Sequence, residues 1–242
     1  MGFLNGLQYM LIHYKKRNVS FTAALFFFQL LIVVSLITAC KSKTPTTAEK
    51  STTNQQEEIN KLKRAFVQIN AIKPLIQNGD LITRTGADFT SESLRSLNQR
   101  DQTYSHCGII SIENDSILVY HALGGDFNPD QKILRQPMEV FAQPGDNRGI
   151  GVFRFNISNT LKSDVIAMTQ KLYRQGIMFD MKFDLASDDH MYCAEFVYKS
   201  FSWGTHAQLQ FTTSHIRDFA FVGVDDIFLH PLCHLEKRIV YN

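Results

Sequence analysis

The chain has 242 residues, of which 44% are hydrophobic and 20% are charged, so we expect one ordinary globular domain with accessory segments. Its formal net charge is +2, and the first 39 residues carry Lys15, Lys16 and Arg17 but no acidic residue. Without that segment the net charge becomes −1, which leaves no basic surplus to suggest a nucleic-acid-binding protein.

A basic segment followed by an apolar run marks the N-terminus. The three basic residues precede an apolar run from Phe21 to Ala39, and Cys40 follows. This order is typical of a secretory signal peptide. An uncleaved transmembrane anchor is the alternative, because the run approaches the roughly 18–20 residues that a bilayer requires. In both cases we expect the bulk of the protein to lie outside the cytoplasm, tethered to a membrane.

The end of the apolar run, Ile37-Thr38-Ala39-Cys40, resembles the bacterial lipobox. The resemblance implies cleavage before Cys40 and attachment of diacylglycerol to it, so that residues 1–39 form a lipoprotein signal peptide. Residues 41–56 have almost nothing to bury and are interpreted as a flexible tether. We therefore expect a cell-envelope lipoprotein whose folded domain spans residues 57–242.

The domain is predicted to mix helices with short strands. In chain order the sequence predicts an amphipathic helix at about Glu57–Ile72, a strand at Leu81–Arg84, a polar stretch of helical rhythm at 88–101, strands at about Ser105–Glu113 and Ser116–Leu123, a short strand near Lys132–Arg135, a strand at Gly151–Asn156 and a helix at Leu161–Tyr173. Ser158 or Asn159 is the predicted cap of the last helix, and Gly176 ends it. The chain contains no internal repeat and no glycine-rich phosphate loop.

The two central strands are predicted to form a hairpin with a fixed register. Asn114 and Asp115 tolerate the left-handed conformations that a two-residue turn requires. With these two residues as the turn, paired residue numbers sum to 229. His106, Gly108 and His121 then share one face of the sheet, because side chains alternate along a strand. The two histidines become diagonal neighbours, close enough for their rings to meet.

A second candidate segment surrounds Cys193. Apolar side chains follow it with the spacing of a half-buried helix, at Phe196, Val197 and Phe201. Acidic residues just upstream are typical of a helix start. Cys193 is therefore expected at a helix N-terminus, where the helix dipole lowers the pKa of a thiol and favours the nucleophilic thiolate. The alternative is a small buried cysteine that packs like an apolar residue.

A thiol and two histidines can form a nucleophile with its base and orienting group. We interpret Cys193 as the nucleophile, His106 as the base and then the acid, and His121 as the group that orients His106. The alternative for each histidine is a structural or surface role.

The remaining cysteines and histidines suggest less. A Cys107–Cys233 disulfide is possible and would leave Cys193 free. His230, Cys233 and His234 are closely spaced, but no second cluster has the spacing of a zinc site, so we predict no metal and no cofactor. A serine hydrolase is not indicated, because the chain lacks a Gly-x-Ser-x-Gly motif.

Five motifs occur in an order that resembles a known family. They are Gly79-Asp80-Leu81-Ile82, Tyr104 to Ile110, Val119-Tyr120-His121-Ala122, Phe179 to Asp184, and Tyr192 to Tyr198. Together they resemble the permuted papain-like amidases of the YaeF/YiiX type, within the NlpC-type cysteine peptidase superfamily. That superfamily also contains the lecithin:retinol acyltransferase group. The match spans roughly residues 74 to 230.

This resemblance implies an α+β, circularly permuted papain-like fold with an antiparallel sheet packed against helices. His106 and Cys193 match the base and the nucleophile of the family. The position of His121 is usually glutamate in the relatives, although histidine fills the orienting role elsewhere in the superfamily. Cys107 stands where an aliphatic residue is usual. By strand alternation its side chain points away from His106, so packing or a disulfide is expected there rather than catalysis.

The implied chemistry is acyl transfer through a Cys193 thioester, with the backbone N–H of Cys193 as an oxyanion donor. Tyr192 and Asp184 are candidates for supporting roles, with packing and turn formation as the alternatives. Three functions remain open from the sequence: an envelope hydrolase of peptidoglycan peptide or another amide, an acyltransferase or lipid-ester hydrolase, and a non-catalytic lipoprotein that binds a cell-wall or lipid ligand. The sequence leaves the oligomeric state open.

Overall fold

The computed structural model describes residues 47–125 and 128–241, with side chains from residue 54 onward. The predicted signal peptide, Cys40 and the first residues of the tether lie outside this range. Within the described residues, no helix combines the length and the apolar character that a membrane span requires.

One antiparallel sheet of six strands forms the centre of the domain, in the order β4-β3-β2-β1-β5-β8. Its strands are β1 Leu81–Gly86, β2 His106–Glu113, β3 Ser116–His121, β4 Leu134–Pro137, β5 Asn147–Phe155 and β8 Cys233–Val240. A separate small hairpin joins β6 Ser214–Ile216 to β7 Phe219–Phe221.

Helices cover both faces of the sheet, so the structure has the predicted α+β fold. The helices are α1 Thr47–Ile72, α2 Phe89–Arg95, α3 Met138–Phe141, α4 Asn159–Gln175, α5 Cys193–Gly204 and α6 Val224–Phe228, with a short 3-10 turn at Lys73–Leu75. One buried cluster packs α4, α5 and α6 against side chains such as Leu81 and Ile109. A second cluster packs α1 and α3 against the opposite face, at Ile82 and Ile110. These two faces are called the α5 face and the α3 face below.

The hairpin of β2 and β3 confirms the predicted register. Asn114 and Asp115 have φ angles of 47° and 62°, as a two-residue turn requires. Glu113 pairs with Ser116, and the same sum of residue numbers holds up to the pair Ile109–Tyr120. Gly108 is needed here because a Cβ on it would lie 2.8 Å from the carbonyl oxygen of Tyr120. The turn therefore determines which face each histidine occupies.

The helix α1 begins at Thr47 rather than at the predicted Glu57, so the described part of the predicted tether is helical. Its anchor is the later half of the helix, where Ala65, Ile69 and Ile72 are buried. Once a helix is nucleated, each further residue adds a hydrogen bond at little cost. The polar residues after Pro45 include no glycine or proline that would interrupt this extension.

The predicted ends of α4 are confirmed. Ser158 is the N-cap and accepts a hydrogen bond from the backbone N–H of Leu161, and Gly176 follows the helix with a φ of 72°. The strand predicted near Lys132–Arg135 lies slightly later, at Leu134–Pro137.

The Gly79-Asp80 motif holds the start of β1 to β5. The Asp80 carboxylate is fully buried and accepts hydrogen bonds from Nε and Nη2 of Arg154, each at 2.8 Å. The guanidinium also lies 3.1 Å from the carboxylate of Glu236 on β8. This motif is therefore structural in this chain.

The possible disulfide between Cys107 and Cys233 is not formed, and the three described cysteines are free. Cys107 lies on β2 and Cys233 on β8, with β1 and β5 between them. Three strand spacings are roughly 14 Å. A disulfide requires Cα atoms about 4.4–6.8 Å apart, so the fold rules this pair out.

Candidate active site

The two predicted histidines lie in direct contact. His106 is the first residue of β2 and His121 is the last residue of β3. The Nε2 atom of His106 lies 2.8 Å from the Nδ1 atom of His121, and the two rings meet edge to face. This contact confirms the proximity that the hairpin register predicted.

A third polar side chain continues the row. The Nε2 atom of His121 lies 3.1 Å from the Oε1 atom of Gln136 on β4, where Gln136 pairs with Val119. Each member of the row is a diagonal neighbour of the next across adjacent strands. The sequence did not indicate Gln136, because the strand predicted there ended at Arg135.

Phe141 and Arg84 pack around this histidine pair on the α3 face. The Phe141 ring packs against both imidazoles, with centroid distances of 5.7 Å to His106 and 5.0 Å to His121. The Arg84 guanidinium lies 4.8 Å from the centroid of the same ring and donates to the Phe141 carbonyl at 3.0 Å. In the sheet, Arg84 pairs with His106.

Both imidazoles are held in the neutral form. Burial, followed by the charge of Arg84, lowers the pKa of His106 well below its ordinary value and that of His121 to about 3. The unfolded chain binds more protons than the fold once the pH drops below the ordinary histidine pKa of about 6.5. The two histidines therefore reduce the stability of the fold as the solution is acidified. At neutral pH the His106 ring is unprotonated and can act as a proton acceptor.

Cys193 is the first residue of α5, as predicted, and Tyr192 is its N-cap residue. The Glu195 carboxylate accepts a hydrogen bond from the backbone N–H of Tyr192 at 3.3 Å, which fixes the entry into the helix. The first amide groups of the helix have no carbonyl partners within it, and the backbone N–H of Ala194 interacts with the thiol.

The Cys193 thiol contacts Cys107. Its pKa is lowered, first by a hydrogen bond with the Cys107 side chain, then by the backbone N–H groups of Cys107 and Ala194 and by the charge of Arg84, against the opposing effect of burial. The pairing of β2 with β3 ends at Ile109–Tyr120, so the Cys107 N–H is not used by the sheet. A backbone N–H lies in the plane of its sheet, so the Cys193 sulfur lies where these two strands separate.

The structure thus forms two neighbouring contacts rather than one continuous triad. His106 contacts His121, Cys193 contacts Cys107, and the consecutive residues His106 and Cys107 join the two contacts. The described hydrogen bonds do not include one between the Cys193 thiol and the His106 ring. The positive charge of Arg84 acts on the pKa of Cys193 and of both histidines.

Tyr192 and Asp184 have positions outside the reacting groups. The Tyr192 hydroxyl accepts a hydrogen bond from the backbone N–H of Val222 at 2.7 Å, and so links the start of α5 to the segment before α6. Asp184 is exposed, and its carboxylate accepts from the backbone N–H of Ala186 at 3.0 Å. Tyr192 therefore holds the start of α5 in place through this hydrogen bond, and Asp184 forms a turn.

A groove on the α5 face leads to Cys193. The groove is shallow and its lining is mostly apolar. Its lining residues are Leu94, Leu97, Asn98, Ser105, Phe183, Tyr192, Cys193, Ala194, Phe221, Val222, Gly223 and Val224. An apolar group bound in this groove would lie next to the thiol.

A buried ion pair fixes the loop that precedes α5. The Lys199 ammonium lies 2.9 Å from the Glu195 carboxylate and 2.7 Å from that of Asp188, and it also donates to the Ser187 carbonyl. Glu195 is fully buried, and burial raises its pKa to about 7 although Lys199 opposes the shift.

Replacing Lys199 with methionine is expected to destabilise the fold by about 2 kcal/mol near pH 8, because a buried carboxylate loses its counter-charge. The loss should be smaller near pH 5, where Glu195 is protonated and needs no cation. A carboxyl with a raised pKa binds more protons in the fold than in the unfolded chain, so stability decreases as the pH rises through this range. Urea unfolding at both pH values measures the difference. Lys171→Met, on the exposed side of α4, is the control, and equal losses at the two pH values in Lys199→Met would contradict the argument.

The described residues contain no group of three or more His, Cys, Asp or Glu side chains that could hold a metal ion. In the predicted cluster, the ring of His230 accepts from the backbone N–H of Leu232, and His234 pairs with Glu236. These histidines therefore have structural partners.

Comparisons with known proteins identify a family and a structure with the same fold. The family described as permuted papain-like amidase enzyme, YaeF/YiiX, C92 family, matches residues 75–217. A solved structure with the same fold is that of metalloprotein yiiX from Escherichia coli O157:H7, with a TM-score of 0.56 and 17% sequence identity. The match covers 68% of this chain and 98% of that chain. A search of the curated proteins gives no match.

Proposed function

The chain belongs to the permuted papain-like amidase family, and from this premise we propose that it is a cell-envelope lipoprotein that cleaves an amide bond through a thioester on Cys193. Membership of the family makes the protein a cysteine hydrolase of the amidase type. The observation that carries the finer proposal is the position of Cys193. A thiol of lowered pKa lies at a helix start, and the ends of two neighbouring strands each bear one of two histidines that are in hydrogen-bonding contact.

The histidine row assigns a proton-accepting atom. With the amide oxygen of Gln136 facing His121, the Nε2 atom of His121 donates and its Nδ1 atom accepts. His106 then donates from Nε2, which leaves the lone pair of its Nδ1 atom for the substrate side. Gln136 and His121 thus hold the tautomer of His106 that a general base requires.

In the proposed reaction the Cys193 sulfur attacks the carbonyl carbon while His106 Nδ1 takes the thiol proton. The C–N bond breaks, and His106 gives the proton to the departing amine. A water molecule, deprotonated by His106, then attacks the thioester and releases the carboxylic acid and the thiol. The approach of Cys193 to His106 belongs to the substrate complex, since catalytic contacts are often loose in free enzymes and tighten on binding.

The helix start supplies the polar groups for the oxyanion. The backbone N–H of Cys193 is the first amide of α5 and has no carbonyl partner within the helix. An oxyanion that forms on the attacked carbon would lie beside this N–H and at the positive end of the helix. The neighbour's title describes that protein as a metalloprotein. Because the described side chains of this chain form no three-ligand group, the proposed steps use no metal.

The groove suggests a second candidate function, the cleavage or transfer of an ester. Its apolar lining next to Cys193 suits an apolar acyl group better than a charged peptide. Peptidoglycan peptide or another amide remains our first proposal for the substrate class, because the family is one of amidases. A lipid-derived ester is the second.

The envelope location is part of the proposal. Its support is the basic segment, the apolar run from Phe21 to Ala39 and the lipobox-like residues that end at Cys40. A lipid on Cys40 would tether the domain to a membrane, where both peptidoglycan and lipid substrates are within reach.

Two matched substrates test the proposed function. A p-nitroanilide and a p-nitrophenyl ester with the same apolar acyl group are added to the full chain, and intact mass is followed at short times. We expect an acyl adduct on Cys193 from both substrates and steady turnover of the anilide. Turnover of the ester alone would replace the amidase proposal with the esterase candidate. Transfer of the acyl group to an added alcohol or amine in preference to water would indicate a transferase.

Iodoacetamide is expected to alkylate Cys193 before the other two described cysteines. The pKa of Cys193 is lowered, whereas burial raises the pKa of Cys107, and that of Cys233 to about 12. Peptide mapping at a series of pH values should place the labelling midpoint of Cys193 below the value of about 8.5 for a free thiol. Labelling of Cys233 at the same pH as Cys193 would contradict the proposed activation.

A further inference from the structure

Cys107 is a second thiol next to the nucleophile, and the amidase reaction gives it no role. The sequence predicted that its side chain would point away from His106. The structure agrees, because Cys107 packs in the buried cluster of the α5 face, which also contains Cys193. The same alternation that separates Cys107 from the base therefore brings it to the nucleophile.

Two contacts join these cysteines. The side chains are hydrogen-bonded, and the backbone N–H of Cys107 also donates to the Cys193 sulfur. Both thiols are free, and both cysteines belong to the same buried cluster. Side-chain rotation can convert such a contact into an S–S bond of about 2.05 Å. The other described thiol, Cys233, lies three strands away in the sheet.

We propose that Cys107 and Cys193 form a reversible disulfide when the site meets a hydroperoxide, and that this bond switches the nucleophile off. In the first step the Cys193 thiolate attacks one peroxide oxygen, the O–O bond breaks, and a sulfenic acid and an alkoxide or hydroxide ion result. In the second step the Cys107 sulfur attacks the Cys193 sulfur. The S–O bond breaks, and the hydroxide leaves with the Cys107 proton as water. The peroxide is reduced, and the two sulfur atoms share the oxidation.

The site determines the order of these steps. Cys193 lines the open groove, whereas Cys107 has no exposed surface, so a peroxide reaches Cys193 first. The lowered pKa of Cys193 favours the thiolate that peroxides oxidise. Interaction with Cys193 contributes to the raised pKa of Cys107, after burial. Oxidation of Cys193 removes its negative charge, and Cys107 then becomes easier to deprotonate for the second step.

The disulfide would inactivate Cys193 reversibly and would also protect it from irreversible oxidation. A sulfenic acid that no thiol resolves is oxidised further to sulfinic and sulfonic acids, which thiol reductants do not restore. A neighbouring thiol ends this sequence at a disulfide, which dithiothreitol reduces. The regulatory meaning rests on the proposed function, but the formation of the bond does not.

Peptide mapping of the full chain after treatment with hydrogen peroxide tests the proposal. Remaining thiols are alkylated under denaturing conditions before digestion. We expect a peptide pair joined through Cys107 and Cys193, with Cys233 still a thiol, and loss of hydrolysis in proportion to the linked fraction. Dithiothreitol should restore both the thiols and hydrolysis. Sulfinic acid on Cys193 with Cys107 still reduced, or a link to Cys233, would overturn the proposal.

Two variants sharpen the result. In Cys107→Val, which keeps a strand-forming side chain of similar size, the share of oxidised Cys193 that ends as sulfinic or sulfonic acid should be about tenfold higher than in the wild type. Cys233→Ala is the matched control and should leave the Cys107–Cys193 link unchanged. The map of the wild-type chain decides the question even where Cys107→Val fails to fold. It also separates this proposal from the proposed function, because it records a bond and not a reaction rate.

Discussion

Replacing Cys193 with alanine is expected to reduce amide hydrolysis about a thousandfold or more, to the small rate left by binding and polar groups alone. The variant loses the only atom that forms the thioester and keeps the helix start. Alanine is a good helix former, so α5 should remain intact. The value of kcat/KM on the p-nitroanilide, together with urea unfolding, separates loss of chemistry from loss of fold.

Cys233→Ala provides the matched control for this prediction. Cys233 is a half-buried cysteine at the start of β8, outside the groove that leads to Cys193. Its removal should change the hydrolysis rate by less than about twofold. Comparable loss in both variants would point to a general effect of cysteine removal, and full activity in Cys193→Ala would end the thioester mechanism.

Replacing His106 with glutamine is expected to reduce kcat by about a hundredfold to ten-thousandfold, because the general base and acid are lost. Iodoacetamide labelling of Cys193 should nevertheless keep its pH midpoint. The lowered pKa of that thiol comes from Cys107, Ala194 and Arg84, and His106 is not among its causes. In this variant the value of kcat should therefore decrease while the pH midpoint of Cys193 labelling stays the same. A labelling midpoint that rises together with the loss of activity would instead show a thiolate–imidazolium pair.

His121→Glu is the companion variant, since the family resemblance of the sequence implies a glutamate at this position. A carboxylate in place of a neutral ring favours the protonated form of His106 and so raises its pKa. His106 is then protonated, and inactive as a base, up to a higher pH. The acid limb of the pH profile of hydrolysis should therefore move to higher pH. Activity near pH 8 should stay within about tenfold of the wild type. An unchanged pH profile would show that His121 does not act on His106.

The parts of the site that follow from local rules could be predicted from the sequence. Asn114 and Asp115 determine the hairpin register, and the register brings His106 to His121 by strand alternation alone. Cys193 was placed at a helix start from the apolar spacing that follows it, and the structure agrees. Each of these inferences depends on residues close together in the chain.

The parts that depend on packing between distant segments could not be predicted in this way. Arg84 belongs to an unremarkable strand, and its action on three site residues depends on how β1 lies beside β2. The prediction that the Cys107 side chain points away from His106 was correct. Strand alternation does not show, however, which helix covers the face of the sheet on which Cys107 lies. Gln136 needed the exact position of β4, and boundaries of short strands are the least certain feature of a sequence. The strand β8 was missed because charged residues interrupt its alternation.

The contact between Cys193 and Cys107 also bears on how the protein is made. Synthesis proceeds from the N-terminus, so the ribosome delivers Arg84 and Cys107 well before it delivers the nucleophile. Until α5 docks on the hairpin, Cys193 has the ordinary pKa of a free cysteine. It therefore reacts only slowly with other acyl compounds in the cell. The nucleophilicity of Cys193 thus depends on the completed tertiary structure, and an incomplete or unfolded chain lacks it.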